Sequence, residues 1–158
     1  MIINHVFYCC DGVKNQDKVV VIPDEVTKIA DFAFKSRWSS SAPKNIEKII
    51  LPEGLREIGE SSFDGLNKLK EIKIPASVKT IGKNAFCNTG LEVIELVEGL
   101  EEIGEAAFYG TSVVELRIPK TVTSIEAKAL LWCKKLRDLY IPATVTKFGK
   151  SVLGTIDE

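Results

Sequence analysis

The sequence of 158 residues has one histidine, His5, and four cysteines, Cys9, Cys10, Cys87 and Cys133. No CxxC pair occurs among them, which removes the usual spacing of a zinc or dithiol redox site. Cys9 and Cys10 are adjacent, so a bond between them is strained, and no spacing joins Cys87 to Cys133. All four are expected as free thiols that pack as small apolar residues. Charge of one sign is also missing: 21 basic against 22 acidic residues leave a net −1. No global field then draws the chain to nucleic acid or to an anionic membrane. No apolar run approaches the roughly 18 residues of a membrane span. The start, MIINHVFYCC, has no basic stretch ahead of an apolar one, so neither membrane insertion nor a signal peptide is expected. The glycines of NTGLE and FYGTS follow no strand-to-helix phosphate motif. No metal or cofactor is expected, and the only conceivable nucleophile with a base is Cys9 or Cys10 with His5. The apolar neighbours Val6, Phe7 and Tyr8 make packing the favoured role for that segment.

What the chain does have is a repeat. Five of the six prolines stand at 23, 52, 75, 119 and 142, at intervals of 29, 23, 44 and 23. The 44 is two repeats of 22, with Val97 where the intervening proline would be. Aligned on these six positions, apolar residues recur three places later (Val26, Leu55, Val78, Leu100, Val122, Val145) and six places later (Ile29, Ile58, Ile81, Ile103, Ile125, Phe148). Eleven places later stand Phe34, Phe63, Phe86, Phe108, Leu130 and Leu153. Before the proline the period becomes two, as in Ile72 with Ile74 and Leu116 with Ile118, which is the alternation of a strand with one buried face. Proline has no amide hydrogen to offer a neighbour, so the strand ends there and the chain turns.

After the proline the spacing predicts a brief extended segment and then a single turn of helix carrying the Ala-Phe pair, as in Ala85-Phe86 and Ala107-Phe108. A unit of 22 or 23 residues that cannot bury its apolar face alone must stack on its neighbours. The expected fold is a β-rich α/β solenoid. Short strands form one parallel sheet about 25 Å wide over six repeats at ~4.8 Å spacing, with extended segments and short helical turns opposite. Glycine follows the sixth position as Gly59, Gly82, Gly104 and Gly149, but Ala30 and Glu126 stand there in two repeats. A requirement for positive φ would penalise Glu126 by about 1 kcal/mol; close backbone packing is therefore the expected reason for glycine.

The unit L-x-E-I-x-I-P-x-x-V-x-x-I-G-x-x-A-F, most complete in LKEIKIPASVKTIGKNAF, resembles the BspA-type leucine-rich repeats over about residues 19 to 153. The resemblance implies a leucine-rich-repeat solenoid used for binding, commonly in adhesion or interaction on the surfaces of bacteria and some protists, and no reaction. Family repeats often carry Cys three places after the Phe; here only Cys133 does, after Leu130, with Thr89 and Thr111 in that place elsewhere.

Residues 1–18 are expected as an N-terminal cap, with HVFYCC and KVVVIP as two strands joined by a turn region. Residues 19–154 form six repeats and 155–158 a tail. The first repeat carries extra residues at 37–45, RWSSSAPKN, an expected exposed loop whose Trp38 is either a recognition anchor or, more often, a lid over the repeat. The last repeat shows no capping element, which predicts a piece of a longer array or end-to-end self-association through that repeat.

The side chains facing outward from the sheet follow from the alternation. Two places before the proline they are Val21, Ile50, Lys73, Glu95, Arg117 and Tyr140; four places before it, Val19, Lys48, Glu71, Val93, Glu115 and Asp138. From these, Lys48, Glu71, Lys73, Glu95, Glu115, Arg117, Asp138 and Tyr140, with Trp38, are the candidate residues for an unidentified protein partner. Arg117 and Tyr140 are the expected anchors, because such side chains dominate interface energetics. An ordinary solvated face with opposite charges on neighbouring strands, such as Glu71 beside Lys48, is the competing reading. The function expected is a non-catalytic binding or adhesion module, with a structural spacer as the alternative and a thiol enzyme as a remote third.

Overall fold

The computed structural model describes residues 1–10, 13, 17–34 and 45–154. The insertion with Trp38 and the tail at 155–158 lie outside the described residues, except that Asn45 is described. The strands are β1 (Ile2–Ile3), β2 (Val6–Phe7), β3 (Val19–Val21), β4 (Lys28–Ile29), β5 (Lys48–Ile50), β6 (Glu57–Ile58) and β7 (Glu71–Ile74). They continue with β8 (Thr80–Ile81), β9 (Val93–Leu96), β10 (Glu102–Ile103), β11 (Glu115–Arg117), β12 (Ser124–Ile125), β13 (Asp138–Tyr140) and β14 (Lys147–Phe148).

From β3 onward, odd and even strands lie on different sides of the coil. The odd ones, just ahead of the proline column, form a parallel four-stranded sheet β3-β5-β7-β9 and a parallel pair β11-β13. The single six-stranded sheet expected here is thus divided: β9 and β11 stay in contact but share no ladder. The longest ladder lies opposite. The brief extended segments are two-residue strands that stack, with the antiparallel hairpin β1-β2 at one end, into the eight-stranded order β1-β2-β4-β6-β8-β10-β12-β14. HVFYCC and KVVVIP do supply strands, β2 and β3, but in different sheets; β2 pairs instead with β1 and with β4.

Among the described residues no helix forms around the Ala-Phe pairs, a correction to the expected helical turn. The residue two places before each Phe column is left-handed in all six repeats: Phe32, Ser61, Asn84, Ala106, Lys128 and Ser151, with φ between 49° and 60°. A left-handed residue interrupts a helix and aims its amide elsewhere. Here the amide points along the solenoid axis, so that the Asn84 N–H donates to Glu105 O at 2.8 Å and the Ala106 N–H to Ala127 O at 2.9 Å. The Phe amides do the same, Phe86 to Ala107 O at 2.8 Å and Phe108 to Ala129 O at 2.9 Å. A helical turn would satisfy these donors inside one coil; the solenoid uses them to tie each coil to the next.

The glycines after the sixth position are not left-handed, nor are Ala30 and Glu126. A Cβ on Gly82 would lie 2.7 Å from the Gly59 carbonyl carbon, and one on Gly104 2.6 Å from Ile81 O. Close approach of one coil's backbone to the next explains the column.

Side chains of all three sheets meet in one core running the length of the array. Its spine is a stack of phenyl rings, Phe7, Phe34, Phe63, Phe86 and Phe108, with centroids 5.3, 5.1, 5.1 and 5.6 Å apart. Leu130 continues the column, but in the last repeat Val152 is the buried residue and Leu153 is 50% exposed. Beside the stack, Thr89, Thr111 and Cys133 share one position. The Thr89 hydroxyl donates to Phe86 O at 2.9 Å, the Cys133 thiol to Phe108 O at 3.1 Å, and Thr111 Oγ1 lies 3.2 Å from Cys133 Sγ. Hydroxyl and thiol are interchangeable there because each is a small group that satisfies a buried carbonyl. Burial pushes the Cys133 thiol pKa up.

Ser62 stands in the column occupied by Ala33, Ala85, Ala107 and Ala129, with its hydroxyl buried and without a hydrogen-bond partner among the described residues. An orphaned buried hydroxyl costs about 1–3 kcal/mol. Ser62→Ala is therefore expected to raise stability by about 1 kcal/mol in urea denaturation; an equal loss would show that the hydroxyl is satisfied.

Candidate functional site

The outward face of the odd strands is set by the period of two. In β3, β5 and β11 the middle residue is buried while its two neighbours are exposed, because Val20, Ile49 and Leu116 enter the core. Lys48, Glu71, Lys73, Glu95, Glu115, Arg117, Asp138 and Tyr140 all lie on this face and all are exposed, whereas Trp38 falls outside the described residues.

Register brings Lys48 beside Glu71, Lys73 beside Glu95, Glu115 beside Asp138 and Arg117 beside Tyr140. The Lys48 ammonium pairs with the Glu71 carboxylate, Lys73 Nζ lies 3.7 Å from Glu95 Oε1, and Arg117 Nε donates to Glu115 Oε1 at 2.8 Å along its own strand. The same logic runs around the coil. Lys18–Glu47, Lys28–Glu57, Lys70–Glu92, Lys79–Glu101 and Lys83–Glu105 each join a lysine to a glutamate at the same position of the following coil. Hydrogen bonds from these lysines hold the carboxyls of Glu92 and Glu105 below the usual range, and Lys147 does so for Glu126. Such exposed pairs are worth ~0–1 kcal/mol each and fade in salt, so they set the neighbour of each coil more than its stability.

The site contains residues that the charged set leaves out. Val19 is 53% exposed, Val21 63%, Ile50 44% and Val93 60%. Val21 lies directly beside Ile50 in the ladder. Together with Lys48, Glu71, Lys73 and Glu95, Ile50 and Val93 line a shallow depression of about 430 Å³. The alternation of β3, which carries valine on both faces, was the signal for this apolar end. Beyond the sheet break the face changes: Arg117 and Tyr140 are adjacent, and Asp138 and Tyr140 have no ion-pair or side-chain hydrogen-bond partner among the described residues.

His5 sits at the β1-β2 turn with φ 63° and its Nδ1 is 2.8 Å from Glu25 O. Among the described residues no group of histidine, cysteine and carboxylate side chains could hold a metal ion, and no helix is long and apolar enough to cross a membrane.

The BspA-type leucine-rich repeat region matches residues 39–155, most of the chain, in six copies. The chain belongs to the BspA-type leucine-rich repeat family. Among solved structures, this BspA-type chain is similar to the leucine-rich repeat protein of T. pallidum, with 28% identity, a TM-score of 0.74 and 90% of the chain covered. It is also similar to a leucine-rich cell surface protein of Faecalibacterium prausnitzii, with 23% identity, a TM-score of 0.52 and 85% covered. A leucine-rich repeat protein of Eubacterium ventriosum ATCC 27560 matches with 18% identity, a TM-score of 0.52 and 85% covered. The last two likenesses concern the fold alone. The chain spans 63%, 40% and 41% of these three proteins respectively. No curated protein matches the chain.

Proposed function

We propose that this BspA-type array is a non-catalytic binding module that takes a protein partner on the outward face of β3, β5, β7 and β9. The observation that carries the reading is the exposed run Val19, Val21, Ile50 and Val93 on a sheet face, bordered by the Lys48–Glu71 and Lys73–Glu95 pairs. Exposed β-branched side chains contribute affinity only when covered, about 25 cal/mol per Å² of apolar surface removed from water. Paired charges around them exclude wrong partners more than they add affinity. The non-catalytic part of the reading agrees with the family, which is generally non-catalytic. A spacer role is favoured by one feature: the charges on β5, β7 and β9 are satisfied among themselves, leaving little for a partner to pair.

The two readings separate with a paired variant. Immobilised protein and a Val21→Glu, Ile50→Lys double variant are exposed to the same extracts, and retained proteins are compared quantitatively. A binding module retains a saturable partner that the double variant loses by tenfold or more, while an Arg117→Ala, Tyr140→Ala variant reports whether the second sheet shares the contact. Equal retention by wild type and double variant would sink the binding reading and leave the spacer.

A further inference from the structure

A second surface lies where the chain turns into the odd strands. Thirteen places after the proline column every described repeat is left-handed: Gly65 (φ 80°), Asn88 (φ 53°), Gly110 (φ 68°) and Trp132 (φ 64°). Glycine and asparagine are the residues that adopt this conformation readily; a bulky side chain does so only against a steric cost. Trp132 is nevertheless 55% exposed, so burial does not repay that cost. The left-handed turn itself belongs to the coil, since the Asn88 and Gly110 amides donate from it to Tyr109 O and Leu131 O of the next coil at 2.8 and 2.9 Å; it is the exposed indole placed on that turn that points toward binding.

The surroundings of Trp132 fit that role. With Asn88, Tyr109, Ser112, Lys134 and Lys135 it lines a depression of about 420 Å³ spanning three successive coils, within the size range of small-ligand sites. Gly110 keeps the floor low, since a Cβ there would lie 2.8 Å from Asn88 Oδ1. Lys134 Nζ lies 4.8 Å from the centre of the Trp132 ring. Among the described residues neither Lys134 nor Lys135 forms a close ion pair, although the Lys135 charge acts on the Glu92 carboxyl from farther off, and no Asp or Glu lines the depression. The two sheets also part at this edge, where the chain leaves Ser112 for β11.

We propose that this depression binds an acidic oligosaccharide, one bearing uronate carboxylates. The Trp132 ring supplies an apolar platform for a sugar ring's C–H face. The Asn88 amide and the Tyr109 and Ser112 hydroxyls offer both donors and acceptors to sugar hydroxyls, and Lys134 and Lys135 supply point charges for the carboxylate. Nucleic acid fits less well, since it needs a basic track along its phosphates and a series of stacking rings. An acidic peptide would use the lysines but leave the hydroxyl-rich rim unmatched. This site is separate from the sheet face proposed above, and either can fail without the other.

Amide chemical-shift titration of ¹⁵N-labelled protein tests the assignment, with trigalacturonate and a hyaluronan tetrasaccharide as acidic probes. Maltotriose, a triglutamate peptide and a thymidine oligonucleotide serve as neutral, peptide and nucleic-acid counterparts. The expected result is a saturable response at Asn88, Gly110, Ser112 and the Trp132 indole N–H to at least one acidic sugar, tenfold or more tighter than to any counterpart. Trp132→Gly should weaken that binding tenfold or more while leaving Tm unchanged or raised, since glycine relieves the left-handed strain. No response to either acidic sugar overturns the proposal, as does an equal response to the peptide or the oligonucleotide. A fall in Tm of more than about 5 °C in Trp132→Gly would make the tryptophan a packing residue and overturn it as well.

Discussion

Replacing Phe86 by alanine should destabilise the protein by about 3–5 kcal/mol, read as a fall in the urea midpoint. Phe86 is completely buried, stacked on Phe63 at 5.1 Å and on Phe108 at 5.6 Å. The substitution therefore removes both the transfer free energy of the ring and two aromatic contacts of about 0.5–1.5 kcal/mol each, and leaves a cavity between coils. In a solenoid each coil is held only by its neighbours, so loss at one interface weakens coupling between the two halves. The variant should accordingly unfold with a broadened transition. Two companions calibrate the result. Phe7→Ala, at the end of the stack with one ring neighbour at 5.3 Å, should cost less. Phe86→Leu should cost under about 1.5 kcal/mol, because Leu130 already serves in the same column. A loss below about 1.5 kcal/mol for Phe86→Ala would mean that the stack is not the spine of the array.

The columns that specify the coil were legible in the sequence because they are local. Proline ends a strand by lacking a donor, and Val, Ile and Phe recur where the chain returns to the same wall of the core. What spacing alone could not reveal depends on the next coil. The turn at Ala85-Phe86 has the apolar spacing of a helical turn, yet the Asn84 and Phe86 amides donate to Glu105 O and Ala107 O one coil later, a partnership no local pattern records. The same holds for the sheets: the two-residue segments at Thr80–Ile81 or Glu102–Ile103 look too short to matter until they pair with each other in the longest ladder of the molecule. On the face, the alternation placed all eight of its charged and aromatic candidates outward, and the Lys48–Glu71 pair was anticipated. The exposed valines carry no charge or hydrogen-bonding group to single them out in the sequence. Trp132 stands out only against its column, where Gly65, Asn88 and Gly110 mark a left-handed position that tryptophan does not suit.

Gly99→Ala should be among the most damaging single-methyl additions in the chain, while Gly54→Ala, in the same column two places after the proline position, should be tolerated. Gly99 has φ +126°, a region that side chains rarely adopt, and a Cβ there would lie 1.9 Å from Ala76 O on the preceding coil. Backbone on that coil cannot swing aside as a side-chain tip can. The Gly99 amide also donates to Thr121 Oγ1 at 2.9 Å, and that hydroxyl in turn donates to Leu100 O at 2.6 Å. Displacing Gly99 therefore disturbs a joint across three coils, centred where Val97 replaces the proline that would have fixed the chain. Strain of this kind costs about 1–3 kcal/mol, with the clash and the broken hydrogen bonds adding to it, so a loss of about 3 kcal/mol is expected. For Gly54 the nearest atom to an added Cβ is Asp24 O at 3.8 Å, ordinary contact, and φ is not left-handed. Alanine there should change stability by less than about 0.5 kcal/mol, or add a few tenths by restricting the unfolded chain. Both variants can be read in one urea series. Equal effects at the two glycines would contradict the packing, since only at Gly99 does the preceding coil's backbone occupy the place of a side chain.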